Sequence, residues 1–438
     1  MIFAKRIKLT STHNHAAHHL MLDHHDTETT KNIIHKQQLQ THDDDPVAEP
    51  EPETTMMLSL SLIRGLPDHV AHLILARLPP RLLFSVSSSW RRLLYSPHFP
   101  PFPSLYLLSL HHTEIALLNY DPVSGLWSHL PPPPSPPRLL LRHPSFLSRN
   151  LPLQSLSVVS RTQSQSNYQQ TGRTADQSAL VLVAGTTTSL LPALPRLLVF
   201  SPATASWSLG PAFPVPRRWC AAGSISGSVF ISSGIGAGFD PAVARSMEKW
   251  DIESTGSSSS SWVGLKEMRD GRYCREAIEA VGYRGKLYMV NVKGADAAKD
   301  GAVYDTERDE WGEMREGMRK GWRGPAAAME EEVMYGVDES KGVLRRYEEE
   351  RDMWIDVARD ERLIGAQQMA AARGRVCVVG GGSGGVVVVD VVAVPARVWV
   401  VELPSGFDAL AVHVLPRLSR PPGMGTEVLS SPAMLENR

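Results

Sequence analysis

The amino-acid sequence predicts a small all-α domain followed by an all-β domain made of six repeated sheets. Three observations predict this fold class. Apolar residues follow helical spacing between residues 58 and 100, and from residue 101 onward short β-rich runs alternate with Gly, Pro and Ser clusters. Six of the nine tryptophans in this region also recur behind successive β-rich runs. A polar, irregular segment precedes both domains.

Residues 1–57 form that polar segment, which contains eight of the sixteen histidines in the chain. An acidic stretch interrupted by prolines follows the histidines, at residues 43–55. This composition buries too little apolar surface to order itself, so we expect a disordered arm. Metal binding by the histidines is the alternative, but a low-complexity tract lacks fixed ligand geometry.

Three short helices are predicted between residues 58 and 100. Pro67 is suited to the start of the first helix, because the first turn does not need the missing N–H. Pro79 and Pro80 should end that helix, and Ser88 or Ser89 should cap the third. The apolar positions in helical spacing are Val70, Leu73, Ile74, Leu78, Leu82, Leu83, Val86, Trp90, Leu93 and Leu94.

A helical unit of this size has a very small core and usually needs a partner surface for stability. We therefore expect part of its apolar surface to face another protein. The alternative is that all of these side chains form a private core or pack on the β domain.

The repeats of the β domain are marked by tryptophans. An aromatic residue or Asp stands several residues upstream of most of them, as in Tyr120-Asp121 and Tyr304-Asp305. One four-stranded sheet cannot bury both of its faces, so such sheets pack radially as the blades of a propeller. A large aromatic on an outer strand then fills the wedge between neighbouring blades. The six tryptophans are Trp127, Trp207, Trp262, Trp311, Trp354 and Trp399.

Closure of the six-bladed ring is also predicted. The first repeat lacks an innermost strand, whereas residues 407–415 form an unpartnered strand after the sixth tryptophan. We expect this strand to complete the first blade, because closure removes free sheet edges. Residues 421–438 are expected to be disordered, and residues 131–138, 161–178 and 256–261 should form exposed loops.

Charge and cysteine positions argue against several classes of function. The net charge of -1 gives no general attraction to nucleic acid or to anionic membranes. No charge-free apolar stretch of membrane-spanning length occurs, so no membrane span is expected. The three cysteines are far apart, which argues against a zinc site and a disulfide framework. Reduced thiols indicate a protein of the cytosol or nucleus.

No catalytic residue and no cofactor is predicted. Histidine is absent between residues 144 and 412, which argues against a histidine-ligated metal centre in the β domain. Residues 380–385 match a GxGxxG pattern, but another strand follows them. A dinucleotide site needs a helix N-terminus at that point, so the glycines indicate a turn between strands.

Two parts of the chain resemble a known family. Residues 62–99 resemble an F-box, with Leu66-Pro67-Asp68, Leu78-Pro79, Trp90 and Ser96-Pro97 in family positions. Residues 104–415 resemble degenerate kelch repeats, through the aromatic-Asp and tryptophan positions given above. The chain is therefore similar to plant F-box/kelch-repeat proteins, with an F-box at 58–100 and a kelch-type β-propeller at 101–420.

The resemblance implies the substrate-recognition subunit of an SCF-type ubiquitin ligase, a subunit that catalyses nothing itself. The F-box would bind a Skp-family adaptor, and through it cullin and RING subunits, while the propeller would hold an unidentified target protein. A free-standing propeller scaffold without a ligase role is the alternative. The residues expected to contact the adaptor are Leu66, Pro67, Val70, Leu73, Leu78, Pro79 and Trp90.

Polar and aromatic side chains that precede the innermost strands are candidates for target binding. Propeller loops rim the central funnel there, and Arg, Trp and Tyr are enriched at binding hot spots. A structural role as strand caps or channel lining is an equal alternative. If these side chains do bind, their basic character favours an acidic segment of the target. They are Arg218, Trp219, Tyr273, Arg275, Trp322, Arg323 and Gln367.

Overall fold

The structure is a computed structural model of the 438-residue chain. It describes residues 61–96, 99–112, 114–134, 153–159, 178–252, 261–269, 271, 273, 278–291, 299–380, 384–419 and 428–429. The arm of residues 1–57 and most of the three predicted loops lie outside the described residues.

Residues 61–96 contain three short helices. They are α1 (Asp68–Leu75), α2 (Pro80–Val86) and α3 (Ser88–Leu94). Pro79 is the N-cap of α2, so the two prolines that end the first helix also begin the second. Ser87 caps α3, because its hydroxyl oxygen accepts a hydrogen bond from the backbone N–H of Trp90 at 3.2 Å. The predicted cap at Ser88 or Ser89 was therefore one or two residues late.

The inward side of the first helix differs from the one that spacing suggested. Ala71 and Leu75 of α1 are completely buried, whereas Leu73 and Ile74 are 66% and 44% exposed. A short helix can bury either of its faces. Here α1 buries the face that contains Ala71 and Leu75 and exposes the face that contains Leu73 and Ile74. The core of the helical domain contains Leu75, Leu83, Leu93, Leu94, Tyr95, Phe99 and Phe102.

The described residues of the β domain form six antiparallel sheets. Blade one contains β1 (Pro103–His111), β2 (Glu114–Asp121) and β3 (Leu126–His129), followed much later in the chain by its innermost strand. Blade two contains β4 (Leu153–Val159), β5 (Ser178–Gly185), β6 (Arg196–Ser201) and β7 (Ser206–Ala212). Blade three contains β8 (Ala221–Ile225), β9 (Ser228–Ser232), helix α4 (Pro241–Arg245), β10 (Met247–Asp251) and β11 (Val263–Gly264).

The remaining blades follow the same plan. Blade four contains β12 (Ile278–Tyr283), β13 (Lys286–Asn291), β14 (Gly301–Asp305) and β15 (Glu310–Glu313), and helix α5 (Glu316–Gly321) follows it. Blade five contains β16 (Ala326–Met329), β17 (Val333–Asp338), β18 (Val343–Glu348) and β19 (Met353–Arg359). After a 3-10 turn (Glu361–Leu363), blade six contains β20 (Ala366–Ala372), β21 (Arg375–Gly380), β22 (Gly385–Asp390) and β23 (Arg397–Glu402).

The ring closes as predicted. Strand β24 (Phe407–Pro416) pairs with β1 along its whole length and is the innermost strand of blade one. The innermost strands β4, β8, β12, β16, β20 and β24 contact one another in that order, and β24 contacts β4. These contacts confirm the six-bladed propeller. A two-residue strand, β25 (Val428–Leu429), pairs with β3, so the prediction of disorder for 421–438 is wrong at these two residues.

The repeated tryptophans hold neighbouring blades together. In four blades the tryptophan pairs across the sheet with an aromatic residue seven positions earlier, as Trp311 does with Tyr304. Its indole N–H then donates a hydrogen bond to a carbonyl oxygen at the end of, or after, the outer strand of the preceding blade. The pairs are Trp127 with Glu402 at 2.9 Å, Trp207 with Pro131 at 2.7 Å, Trp311 with Lys266 at 2.7 Å, and Trp354 with Met318 at 3.0 Å.

Candidate functional site

The helical domain presents an apolar surface that the described part of the chain does not cover. We call this surface the exposed apolar face and define it by Leu73 and Ile74 of α1 with Leu82 and Val86 of α2. Leu82 and Val86 are 50% and 53% exposed, which matches the exposure of the two residues on α1. Four exposed aliphatic side chains on two successive short helices differ from the single apolar residues that normally scatter over a surface.

The residues expected to contact an adaptor divide into two groups. Leu73, Pro67 and Pro79 are exposed. The other four, Leu66, Val70, Leu78 and Trp90, are half-buried. Helical spacing had marked Ile74, Leu82 and Val86 as apolar positions, but it gave no reason to assign them to a partner surface, because their exposure depends on how α1 to α3 pack.

Trp90 serves the helical domain itself as well as its surface. The indole N–H of Trp90 donates a hydrogen bond to the backbone oxygen of Leu62 at 2.7 Å. The ring also packs against the helical core. Because Trp90 is only half-buried, it remains partly available to a partner.

Tyr95, at the end of α3, joins the helical domain to the propeller. Its phenol O–H donates a hydrogen bond to the buried carboxylate of Asp121, at the end of β2. Asp121 also accepts hydrogen bonds from the Val123 N–H at 2.8 Å and the Ser124 hydroxyl at 2.9 Å. Burial, followed by the Asp121 charge, raises the pKa of Tyr95 far above its usual value. The phenol therefore keeps its proton and remains a donor.

Arg417 makes the second connection between the two domains, and it follows the closing strand directly. Its Nη2 donates hydrogen bonds to the backbone oxygens of Ser96 at 2.8 Å and Phe99 at 3.4 Å. The guanidinium lies over the rings of Tyr95 and Phe102, 5.8 and 5.6 Å from their centroids. The strand that closes the ring therefore also leads into the residue that fixes the helical domain to it.

Two adjacent arginines before β8 have different environments. Arg217 is buried, and its Nη2 donates to both carboxylate oxygens of Glu248 at 2.8 Å. Arg218 is 8% exposed, yet its Nε and Nη1 have no hydrogen-bond partner among the described residues. Its guanidinium stacks on the Trp219 ring, 4.0 Å from the centroid, and burial lowers the pKa of Arg218. The first arginine is structural, whereas the second has no counter-charge within the described ranges.

Comparison with known proteins identifies the family. The chain is 46% identical to the F-box/kelch-repeat protein SKIP25 of Arabidopsis thaliana over 379 residues, which cover 82% of this chain and 91% of that protein. The chain belongs to the F-box/kelch-repeat family. It is also 26% identical to the F-box protein AFR of Arabidopsis thaliana over 299 residues, covering 64% of this chain and 70% of that protein. No family model matches the chain.

Two residues expected at the rim of the kelch propeller lie in its core instead. Tyr273 and Trp322 are each 2% exposed, so neither side chain is a surface contact in this structure. The indole N–H of Trp322 donates a hydrogen bond to the Glu279 carboxylate at 3.1 Å, across the blade boundary. Sequence alone does not decide whether a bulky aromatic next to an arginine before a strand is buried. Here the side chain of Trp322 is buried between blades.

The other rim candidates have varied positions. Trp219 and Arg323 are half-buried, Gln367 is exposed, and Arg275 lies outside the described residues. The neighbouring Gln368 is structural, because its amide exchanges hydrogen bonds with the backbone of Val412 at 2.7 and 3.1 Å. The target-binding assignment of Trp219, Arg323 and Gln367 stays a prediction.

The two cysteines that the structure describes, Cys220 and Cys377, are buried. Burial raises the pKa of both Cys220 and Cys377 to about 12, so these thiols stay protonated near neutral pH. No group of three His, Cys, Asp or Glu side chains suited to a metal ion occurs in the described ranges. Within those same ranges, no helix has the length and apolar character needed to cross a membrane.

Proposed function

We propose that this chain is the substrate-recognition subunit of an SCF-type ubiquitin ligase. The F-box binds a Skp-family adaptor, which connects it to cullin and RING subunits, and the kelch propeller binds the target protein. The chain is non-catalytic in this proposal. It raises the effective concentration of a target lysine near the activated thioester of a separate conjugating enzyme. Its place of action would be the cytosol or the nucleus.

The exposed apolar face is the observation that carries the adaptor assignment. Leaving four aliphatic side chains in water forgoes burial energy of roughly 25 cal/mol for each Å² that a partner would cover. Interface cores are apolar and contain the residues with the largest effects on binding. The face lies on the part of the chain that resembles an F-box, as it would if an adaptor covered it.

An adaptor-binding experiment tests this assignment. In Leu73→Ser/Leu82→Ser, two of the exposed side chains lose their apolar groups, and we expect affinity for a Skp-family adaptor to fall by more than about thirtyfold, equal to about 2 kcal/mol. Because both residues are exposed, the melting temperature should change little. The measurement is co-purification followed by titration calorimetry.

The matched control is Val392→Ser/Val394→Ser, which removes two exposed valines from the propeller, 72% and 98% exposed. This control should bind adaptor like the wild type. Undiminished binding by the F-box variant would reject the assignment of the face. Failure of the wild-type chain to bind any Skp-family adaptor would favour the second candidate, a propeller scaffold without a ligase role.

Arg218 supports the target-binding half of the proposal. A buried cation with unpaired N–H groups costs stability, since its desolvation is not compensated by hydrogen bonds. Such a cost is understandable where an acidic group of a binding partner supplies the missing acceptors. Arg218 also precedes an innermost strand, where propeller loops rim the funnel. We therefore propose that it anchors an acidic segment of the target.

Replacement of Arg218 distinguishes this role from a structural one. Arg218→Met keeps the length of the side chain but removes the buried cation, so we expect stability to rise by about 1 kcal/mol while target capture falls. Capture is measured by affinity purification under ligase inhibition, with identification of the enriched proteins. Arg217→Met is the control, and loss of its buried ion pair should destabilise the fold by about 3 kcal/mol. Unchanged capture with Arg218→Met would exclude the anchor role.

A further inference from the structure

A cleft lies between the F-box and the propeller, and nothing described so far occupies it. It has a volume of about 620 Å³. Pro79 and Pro80 at the start of α2 form one side, and residues of blades one and six form the other. We call it the arginine cleft, because Arg81, Arg373 and Arg375 line it. Its volume is in the range of small-molecule sites, about 300–1,000 Å³.

The charge of the arginine cleft is one-sided. None of the described residues that line it is acidic. Arg375 pairs with Asp390 at 3.3 Å, outside the lining. The guanidinium groups of Arg81 and Arg373 have no carboxylate partner among the described residues, although the backbone N–H of Arg373 donates to the Glu330 carboxylate. The Nε of Arg81 donates to the backbone oxygen of Pro122 at 3.2 Å. Two cations of the lining, one from the F-box and one from blade six, are therefore available to an anion.

The walls between the arginines are apolar, and one of them is Trp399. This residue is 39% exposed, whereas the other five repeated tryptophans are buried or half-buried. Where four of those tryptophans bond to the preceding blade, the indole N–H of Trp399 bonds to no residue in the described ranges. Val388 and Val401 extend the apolar wall beside it. The Arg375 guanidinium lies over the Trp399 ring, 5.8 Å from its centroid, so the remaining exposed part of the indole can contact a flat or aliphatic ligand.

We propose that the arginine cleft binds a small amphipathic anion. The apolar body would lie against Trp399, and a carboxylate, phosphate or sulfonate group would lie between Arg81 and Arg373. Such a ligand contacts the F-box and two blades at once. The proposal does not depend on ligase function, although Pro79, one of the residues expected to contact the adaptor, also lines the cleft.

The inner end of the cleft limits where the anionic group sits. Arg373 also lines the neighbouring mouth of the central channel, together with Glu330 and Glu331. The carboxylate of Glu330 accepts a hydrogen bond from the Arg373 N–H at 2.6 Å, and that of Glu331 accepts one from the Ser226 N–H at 2.8 Å. These carboxylates repel an anion that moves further in, so the charged group stays at the arginines.

Two dyes that differ in charge test the proposal with the full chain. Anilinonaphthalene sulfonate is an aromatic anion, and phenylnaphthylamine has the same apolar body without the sulfonate. We expect one sulfonate dye per chain, bound about tenfold more tightly than the uncharged dye in titration calorimetry. Arg81→Gln/Arg373→Gln should remove that difference and leave the affinity for the uncharged dye unchanged. Both residues are exposed, so the fold should be retained.

Two control variants test whether dye binding requires the cleft or only general positive charge or another apolar surface. Arg308→Gln/Arg351→Gln removes two exposed cations from blades four and five and should leave the charge-dependent affinity intact. Leu73→Ser/Leu82→Ser should also leave it intact. Equal affinity for the two dyes, or wild-type sulfonate binding by Arg81→Gln/Arg373→Gln, would overturn the proposal. Displacement of the dye by a saturating Skp-family adaptor would overturn it too, because the cleft would then belong to a protein interface.

Discussion

The F-box and the kelch propeller treat their apolar residues in opposite ways. The propeller buries them in six clusters within and between blades, and its innermost strands form a closed ring around the axis. The F-box has one small cluster and leaves an apolar face in water. The propeller is thus stable through its own closure, whereas the F-box depends on what it touches: the propeller through Tyr95 and Arg417, and a partner on its open face.

Opening the ring should have the largest effect on the difference in stability between the two regions. Val412 of β24 is completely buried and packs with blade six and β1. Val412→Asp should cost more than about 4 kcal/mol, since it places an unpaired charge in an apolar cluster. We expect loss of cooperative melting and of amide protection throughout the propeller in hydrogen-exchange mass spectrometry. Val392→Asp, at an exposed valine, is the control; if both variants melt alike, closure is not what stabilises the ring.

Acid should also weaken the packing of β24 against the neighbouring innermost strand, β4. His413 of β24 is buried, its ring nitrogen lies 2.8 Å from the Ser155 hydroxyl of β4, and burial lowers its pKa from 6.5 to about 4. The folded protein therefore holds His413 neutral while the unfolded chain takes up a proton below about pH 6.5. Stability should be full above that pH and fall by about 3 kcal/mol as the pH decreases to about 4.

Urea unfolding at several pH values measures this decline. His413→Gln is neutral at every pH and retains a partner for Ser155, so its stability should vary less between pH 7 and pH 4. An identical pH dependence in the two proteins would show that other groups cause the acid sensitivity.

Loss of the inter-domain connection should affect the F-box more than the blades. Arg417→Met removes the hydrogen bonds to Ser96 and Phe99, at a cost of about 2 kcal/mol. We expect faster amide exchange in the three F-box helices with little change in blades two to five. Arg397→Met, at an exposed arginine of β23, should change neither region. Uniform loss of protection in both regions would mean that they unfold as one unit.

The smallest expected effect concerns a single blade boundary. Trp311→Phe keeps an aromatic ring but loses the hydrogen bond to the Lys266 carbonyl, which should cost about 1 kcal/mol in thermal unfolding. Trp399→Phe has no such bond to lose among the described residues, so its cost should be smaller. A larger loss at Trp399 would contradict the role given to the indole N–H.

The propeller could be predicted from the sequence because its repeats are periodic. The spacing of Tyr304 and Trp311, seen again in other units, corresponds to a cross-strand pair, and the unpaired β-run near the C-terminus corresponds to β24. The F-box surface could not be predicted in the same detail. Helices of seven or eight residues offer several possible inward faces, and only their mutual packing decides that Leu75 is buried and Leu73 exposed.

Contacts between distant segments explain the other differences. Trp322 is inward because Glu279 of a neighbouring strand accepts its N–H, a partner that no local pattern indicates. Arg81 and Arg373 are far apart in the chain and line one cleft only because the ring brings blade six beside blade one. Patterns along the chain reveal repeats, whereas sites made between repeats require the assembled ring.

Closure by β24 has a consequence for how the protein is made. The Tyr106 hydroxyl donates to the Pro416 carbonyl at 2.7 Å, and these residues are separated by 310 positions. During synthesis the ribosome therefore releases the three helices, three strands of blade one and the whole of blades two to six before β24 can complete blade one. Throughout that interval β1 carries an unpaired edge, the kind of surface that promotes aggregation and that chaperones protect. Premature termination anywhere before residue 407 would leave that edge exposed permanently.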